Sequence, residues 1–158
     1  MGPATVACVS SSTEHPHLVT IGMLTALQER YVNGELLASE FAEAFSAHVT
    51  EDFVFACRFT PASDLLKPLF ADRHGIGGLL DRYRIEEELE RIEPGTTMPE
   101  HVAVSDDCFF MSMRETASFG GGPKVTFDVV TKFVFAGDKV ARIEMFLDGR
   151  PIDAAYPE

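Results

Sequence analysis

Residues 124–148, KVTFDVVTKFVFAGDKVARIEMFLD, constrain the fold more than any other stretch. Two runs rich in β-branched and aromatic residues flank Ala136-Gly137-Asp138, and in each run apolar residues recur at every second position. That period belongs to strands, and the glycine-centred turn folds the two runs back as a hairpin. In 125–135 one face carries Val125, Phe127, Val129, Thr131, Phe133 and Phe135, and the other Thr126, Asp128, Val130, Lys132 and Val134. In 139–148 the core set is Ile143, Met145 and Leu147, opposite Arg142, Glu144, Phe146 and Asp148. The first face needs a cover of helices. The second keeps enough apolar side chains to meet a second subunit.

The elements before the hairpin supply that cover. Pro16 suits the first turn of a helix, where its missing N–H costs nothing. Leu18, Ile21, Leu24, Leu27 and Tyr31 then share one helical face, and Asn33-Gly34 ends it. Leu37, Phe41 and Phe45 mark a second, shorter helix. DFVFACRF (52–59) alternates as a strand, with Phe53, Phe55, Cys57 and Phe59 on one side. Pro61 and Pro68 make 60–73 a loop. A third helix starts near Arg73. Its Ile76, Leu79, Leu80 and Tyr83 lie nearly opposite Ile85, Leu89 and Ile92, so it either breaks near Arg84 or is gripped from two sides. EEELER between these sets reads as a solvated face. Turns are expected at 94–99 and Asp106-Asp107, and strands at 100–105 and 108–119, the latter followed by the glycine turn 120–122. Helices first and a strand meander after them imply an α+β fold.

With 158 residues, 46% of them apolar, the chain is one domain. Its 25 acidic against 13 basic residues give a net charge of −12, which argues against nucleic acid and anionic membrane surfaces as partners. No run approaches the roughly 18 apolar residues of a membrane span. Cys8, Cys57 and Cys108 are odd in number and widely spaced, which argues against a disulfide framework and for a cytoplasmic protein. The first residues lack the basic and apolar regions of a secretory signal. The five histidines show no metal-ligand spacing, so neither a metal nor another cofactor is expected.

LQERYVNGE, AFSAHVTEDFVF, PLFADRHGIGGLLDRY, HVAVSDDCFFMSM and KFVFAGDKVARIEMFLD, in this order, resemble the nuclear-transport-factor-2-like (NTF2-like) superfamily, including its SnoaL-like cyclases and ketosteroid isomerases. The resemblance spans roughly residues 17–150, leaving 1–16 and 151–158 as tails. It implies a cone in which a strongly curved antiparallel sheet wraps three helices, a deep apolar pocket for a small molecule, and a homodimer. It does not imply one chemistry, because such a fold hosts many.

The resemblance also points to site residues. Tyr31 falls where the isomerases carry an oxyanion-stabilising tyrosine. Their two acids fall at Cys57 and Thr131, neither of which is a carboxylate. Proton transfer would then pass to Cys57, if its thiol were acidic enough, or to His74 near the pocket mouth. One register of strand 108–119 turns Phe110, Ser112, Arg114 and Thr116 inward, with Arg114 an anion anchor. A shift by one turns Phe109, Met111 and Met113 inward and leaves Arg114 on the surface. Phe53, Phe55, Thr131, Phe133 and Met145 complete the expected pocket wall. An isomerase, cyclase or dehydratase is expected; the alternatives are a binder that lacks the acids and a dimeric interaction domain.

Overall fold

The computed structural model describes residues 15–93 and 107–158, and residues 7–8 and 101–104 by their backbone. Helix α1 spans Pro16–Val32, with Pro16 in its first turn and Asn33 as its C-cap; Gly34 follows at φ 76°. Leu18, Ile21 and Leu24 are buried along one stripe, and Leu27 and Tyr31 continue it half-buried. Helix α2 (Ala38–Ser46) buries Phe41 and Phe45, one turn apart. Helix α3 (Gly75–Leu89) runs unbroken through Arg84. It is gripped from two sides: Leu79 and Tyr83 join one apolar cluster, and Ile85 packs against a second.

The strands are β1 (Ala7–Cys8), β2 (Val49–Cys57), β3 (Arg73–His74), β4 (Glu90–Ile92), β5 (His101–Val104), β6 (Cys108–Phe119), β7 (Val125–Ala136) and β8 (Lys139–Leu147). They form one sheet in the order β1-β5-β6-β7-β8-β2-β3, with β4 pairing β6 beyond the stretch of β6 that β5 occupies. The sheet is strongly curled around the helices. Its pairs are antiparallel except β2 with β8, which run parallel, so the expected all-antiparallel sheet is mixed at this seam. Gly137 turns the β7–β8 hairpin at φ 65°, a left-handed conformation open to glycine at little cost. A register shift between Val134 and Phe135 accommodates the tip.

Two apolar clusters fill the cone. One joins α1, α2 and α3 to Phe53, Phe109, Phe133 and Ile143. The other gathers Leu66, Leu69 and Phe70 of the 60–72 loop with Phe119, Phe127, Val129 and Ile152. Phe41, Phe53 and Phe109 are wholly buried, and each contributes about 1.5–3 kcal/mol through burial.

The expected C-terminal tail is instead a short helix, α4 (Arg150–Ala155), packed on the second cluster. Ile152 is wholly buried, and the Tyr156 hydroxyl accepts from the Phe119 N–H at 2.9 Å and donates to the Pro123 carbonyl at 2.6 Å. Two apolar side chains bury here, so the segment docks. The expected turn at 94–99, Asp106 and most of the N-terminal tail lie outside the described residues. No helix among the described residues is long and apolar enough to cross a membrane.

Candidate functional site

The register of β6 decides what faces inward. Phe109, Glu115, Ala117 and Phe119 are buried, with Met111 and Met113 packed on the clusters between them. Arg114 lies on the outer face, where its Nε donates to Asp128 at 2.9 Å with both side chains about 60% exposed. The inward placement expected for Phe110, Ser112, Arg114 and Thr116 is therefore corrected by one residue. The apolar row Phe109/Met111/Met113 is the better cover for the helices, and strand alternation carries Arg114 outward with Asp128 opposite it in the ladder. Phe110 lies under the Lys132 ammonium, 5.8 Å from its ring centre. The Thr116 hydroxyl bonds that of Thr126 on the same outer face at 2.8 Å.

The same shift brings Glu115 in, at 7% exposure. It meets a helical stripe at spacings of four, Arg82, Glu86 and Glu90, which face the same side of α3 and its exit. EEELER is thus not a uniformly solvated face. Glu87 and Glu88 are exposed, whereas Glu86 and Glu90 turn toward the interior. Arg82 is 4% exposed and has several partners. Its Nε meets Glu86 Oε1 at 2.7 Å, its Nη1 donates to the Leu69 carbonyl and lies 3.5 Å from Cys57 Sγ, and its guanidinium sits 4.7 Å from the Phe55 ring centre. Such contacts are what a buried guanidinium requires.

Beside this ion pair, half-buried Glu90 and buried Glu115 lie close enough for each to affect the other's titration. Burial, reinforced by the charges of Glu86 and Glu115, pushes Glu90 up to about 8. Burial and the Glu86 charge also raise Glu115, against the opposing effects of the Glu90 hydrogen bond and Arg82. Like charges this close resist joint ionisation, so Glu90 keeps its proton at neutral pH.

Of the expected site residues, Cys57 and Phe55 meet this cluster through Arg82. Tyr31 is half-buried, with its ring centre 5.7 Å from that of Tyr83 and 4.9 Å from that of Phe41. Burial and the Glu86 charge push the Tyr83 phenol far above its usual range, so it stays protonated. Cys57 is buried, and its N–H donates to Asp72 Oδ1 at 3.3 Å. Burial raises its thiol, and the nearby Arg82 only partly offsets this. Thr131 is buried in a row that crosses four strands through register partners, Met111–Thr131–Met145–Cys57. Phe53, Phe55 and Phe133 line the adjoining apolar wall. His74 is exposed at the N-cap of α3 and is not brought into the cluster.

Two surface clefts lie outside the cone. One, of about 320 Å³, is lined by Arg91, Thr116, Ser118 and Lys124 among others; the second, of about 470 Å³, by Ala62, Asp64, Lys67 and Glu158. Neither is the deep apolar pocket that the resemblance implies.

Sequence reading missed Arg82, Glu86, Glu90 and Glu115. Their signals were present: an acid alone in the apolar alternation of 109–119, and three charged residues four apart on the face that continues the α3 core stripe.

No family profile matches the sequence, and no curated protein matches it. Solved structures do match in fold. An NTF2-like protein from Burkholderia xenovorans superposes with a TM-score of 0.71 at 14% identity, over 92% of this chain and 99% of that one. A protein from Rhodopseudomonas palustris assigned provisionally as an isomerase gives 0.66 at 18% identity, over 92% and 99%. One from Jannaschia, assigned provisionally as a SnoaL-like polyketide cyclase, gives 0.60 at 18%, over 95% and 97%.

Proposed function

We propose that this chain, which has the NTF2-like fold, is an enzyme that isomerises, cyclises or dehydrates a mostly apolar small molecule with acid–base chemistry from its own side chains. The observation that carries the reading is the Glu115 carboxyl, buried at 7% exposure in the inner row of β6. Glu115 serves as the base, taking a proton from carbon beside a carbonyl. Glu90, raised to about 8 by burial, is protonated at neutral pH and is the acid that donates toward the developing oxygen. A base and an acid whose affinities are moved toward the working pH are what such a step needs. Tyr31, beside Tyr83, adds a hydrogen-bond donor for the oxyanion. Phe55, Met113 and Met145 give the apolar surroundings. The isomerase and cyclase assignments among structures of the same fold support this class of reaction.

The test offers the protein cyclic β,γ-unsaturated ketones and follows the absorbance of the conjugated product. Glu115→Gln should slow turnover by roughly 10²–10⁴-fold, the usual contribution of a positioned base, and Tyr31→Phe should slow it less. Equal rates for wild type and Glu115→Gln would sink the reading.

A homodimer through the outer sheet face is also proposed. Val130 and Phe146 are direct partners across the β7–β8 ladder and stand 36% and 40% exposed. Phe146→Glu should convert a dimer to a monomer by light scattering; a wild-type monomer at high concentration would remove this assignment.

A further inference from the structure

We propose that α4 and the 60–72 loop form one hinged cover, which fills the end of the cone beside Glu115 and swings out as a unit to admit the small molecule. The inference rests on the acid–base reading above and adds the way into that site.

The inner row of β6 is Met113, Glu115, Ala117 and Phe119. At a rise of about 3.3 Å per residue, Glu115 stands roughly 7 Å along the strand from Ala117. Glu90 is the register partner of Phe119 across the β4–β6 ladder, so it stands beside the far end of the row. The cover packs on this end. Leu66, Leu69 and Phe70 come from the loop, and Ile152 and Tyr156 from α4 and its C-cap. Phe119 is held between the two segments, its ring centre 6.2 Å from that of Phe70 and 5.4 Å from that of Tyr156. These side chains occupy inner-face space that a ligand beside Glu115 would need.

The two segments are bound to each other. The Ala62 N–H donates to Asp153 Oδ1 at 2.9 Å. Phe59, at the entry to the loop, packs on Phe70 at 5.1 Å and lies so close to Gly149, the N-cap of α4, that a Cβ there would come within 1.9 Å of the ring. Neither segment belongs to a strand ladder. The loop's backbone bonds run within it, from Leu66 to Ser63, Leu69 to Leu66 and Phe70 to Lys67, and those of α4 run from Asp153 to Gly149 and Tyr156 to Ile152. Both can therefore move without breaking the sheet. The ties to the body are side-chain bonds: the Tyr156 hydroxyl to the Phe119 N–H and the Pro123 carbonyl, Arg73 and Arg82 to the Pro68 and Leu69 carbonyls, and Asp72 to the Cys57 N–H. The chain leaves the sheet at Asp148, whose N–H donates to the Asp128 carbonyl, and Gly149 begins the cover. Units joined in this way open below the free energy of global unfolding.

Amide hydrogen exchange on the wild-type protein, without ligand, tests the cover. The Phe119 and Ala62 amides both donate to cover side chains, Tyr156 and Asp153. They should exchange with one common opening constant, larger than that of the β6–β7 ladder amides. Tyr156→Phe should speed exchange at Ala62 by roughly tenfold, because closure loses the hydroxyl bonds. Separate constants for the two amides, exchange only through global unfolding, or an unmoved Ala62 in Tyr156→Phe would overturn the cover and leave the Glu115 assignment standing. Entry is tested with Ala62→Cys and Asp153→Cys combined. Oxidation of the pair should stop uptake of the neutral ketone dye prodan, and reduction should restore it. Uptake unchanged by the crosslink, or none in the reduced protein, would overturn the gate; should the disulfide not form, the exchange pattern decides alone. Equal turnover by wild type and Glu115→Gln would remove the acid–base reading without touching the exchange pattern.

Discussion

Glu115, buried on the inner face of β6, and Glu90, half-buried at the exit of α3, lie close enough for each to raise or lower the other's hold on its proton. The Arg82 guanidinium nearby is paired with Glu86 at 2.7 Å. Burial raises the Glu90 carboxyl to about 8, so it keeps its proton at neutral pH.

This makes stability fall with rising pH. Glu90 has its ordinary value of 4.5 when unfolded and about 8 when folded, so the folded state binds more protons between those values. Its contribution is full below 4.5 and is lost as pH rises toward 8. Glu90→Gln should flatten the decline and stabilise the protein at pH 8 by about 1–2 kcal/mol, a value discounted for partial solvent access. Urea denaturation at pH 5 and pH 8 measures this. A wild-type stability that rises over the interval would contradict it.

Arg114→Ala should be nearly silent. Its partner Asp128 is as exposed as Arg114 itself, and such surface pairs contribute about 0.2–1 kcal/mol. Thermal melts and turnover should both stay close to wild type. A large loss of activity with folding intact would restore Arg114 as an anchor for substrate.

Tyr156→Phe tests whether the C-terminal helix belongs to the domain. The substitution keeps the ring against Phe119 and removes the hydroxyl that serves the buried Phe119 N–H and the Pro123 carbonyl. An orphaned buried donor costs about 1–3 kcal/mol. Chemical denaturation should show that loss, and a change within error would mean that water or another group takes over.

Gly149→Ala should be costly for a different reason. A Cβ there would lie 1.9 Å from a Phe59 ring carbon, and overpacking of this kind costs about 1–3 kcal/mol. Pairing it with Phe59→Ala should recover part of the loss, since the two changes share one space. Simple addition of the two losses would show that the clash is relieved elsewhere.

Most of the fold is legible in the sequence because burial and periodicity coincide. The stripe Leu18/Ile21/Leu24, the pair Phe41/Phe45 and the inner row of β7 are each apolar at the period of their element. The site is less legible for the same reason. Glu86 and Glu90 sit in a run of acids whose outer members, Glu87 and Glu88, are solvated, and only the phase of the helix separates the two kinds. In 108–119 both faces carry apolar and polar residues, so alternation alone left the register open. It was settled by which row best covers the helices. The docking of residues 150–156 depends on the second apolar cluster, which forms from distant segments and leaves only Ile152 and Tyr156 as local signs.

The row Met111–Thr131–Met145–Cys57 gives the sheet a floor of mostly sulfur-bearing side chains. Methionine turns about three bonds and its sulfur is readily polarised, so such a floor changes shape at small cost, while the phenylalanines beside it do not. The two methionine sulfurs can be oxidised where hydrocarbon walls cannot, whereas the buried Cys57 thiol, raised by burial, resists. Adaptable packing and vulnerability to oxidation are thus written into one line of residues, and replacing its methionines to remove the second would also stiffen the first.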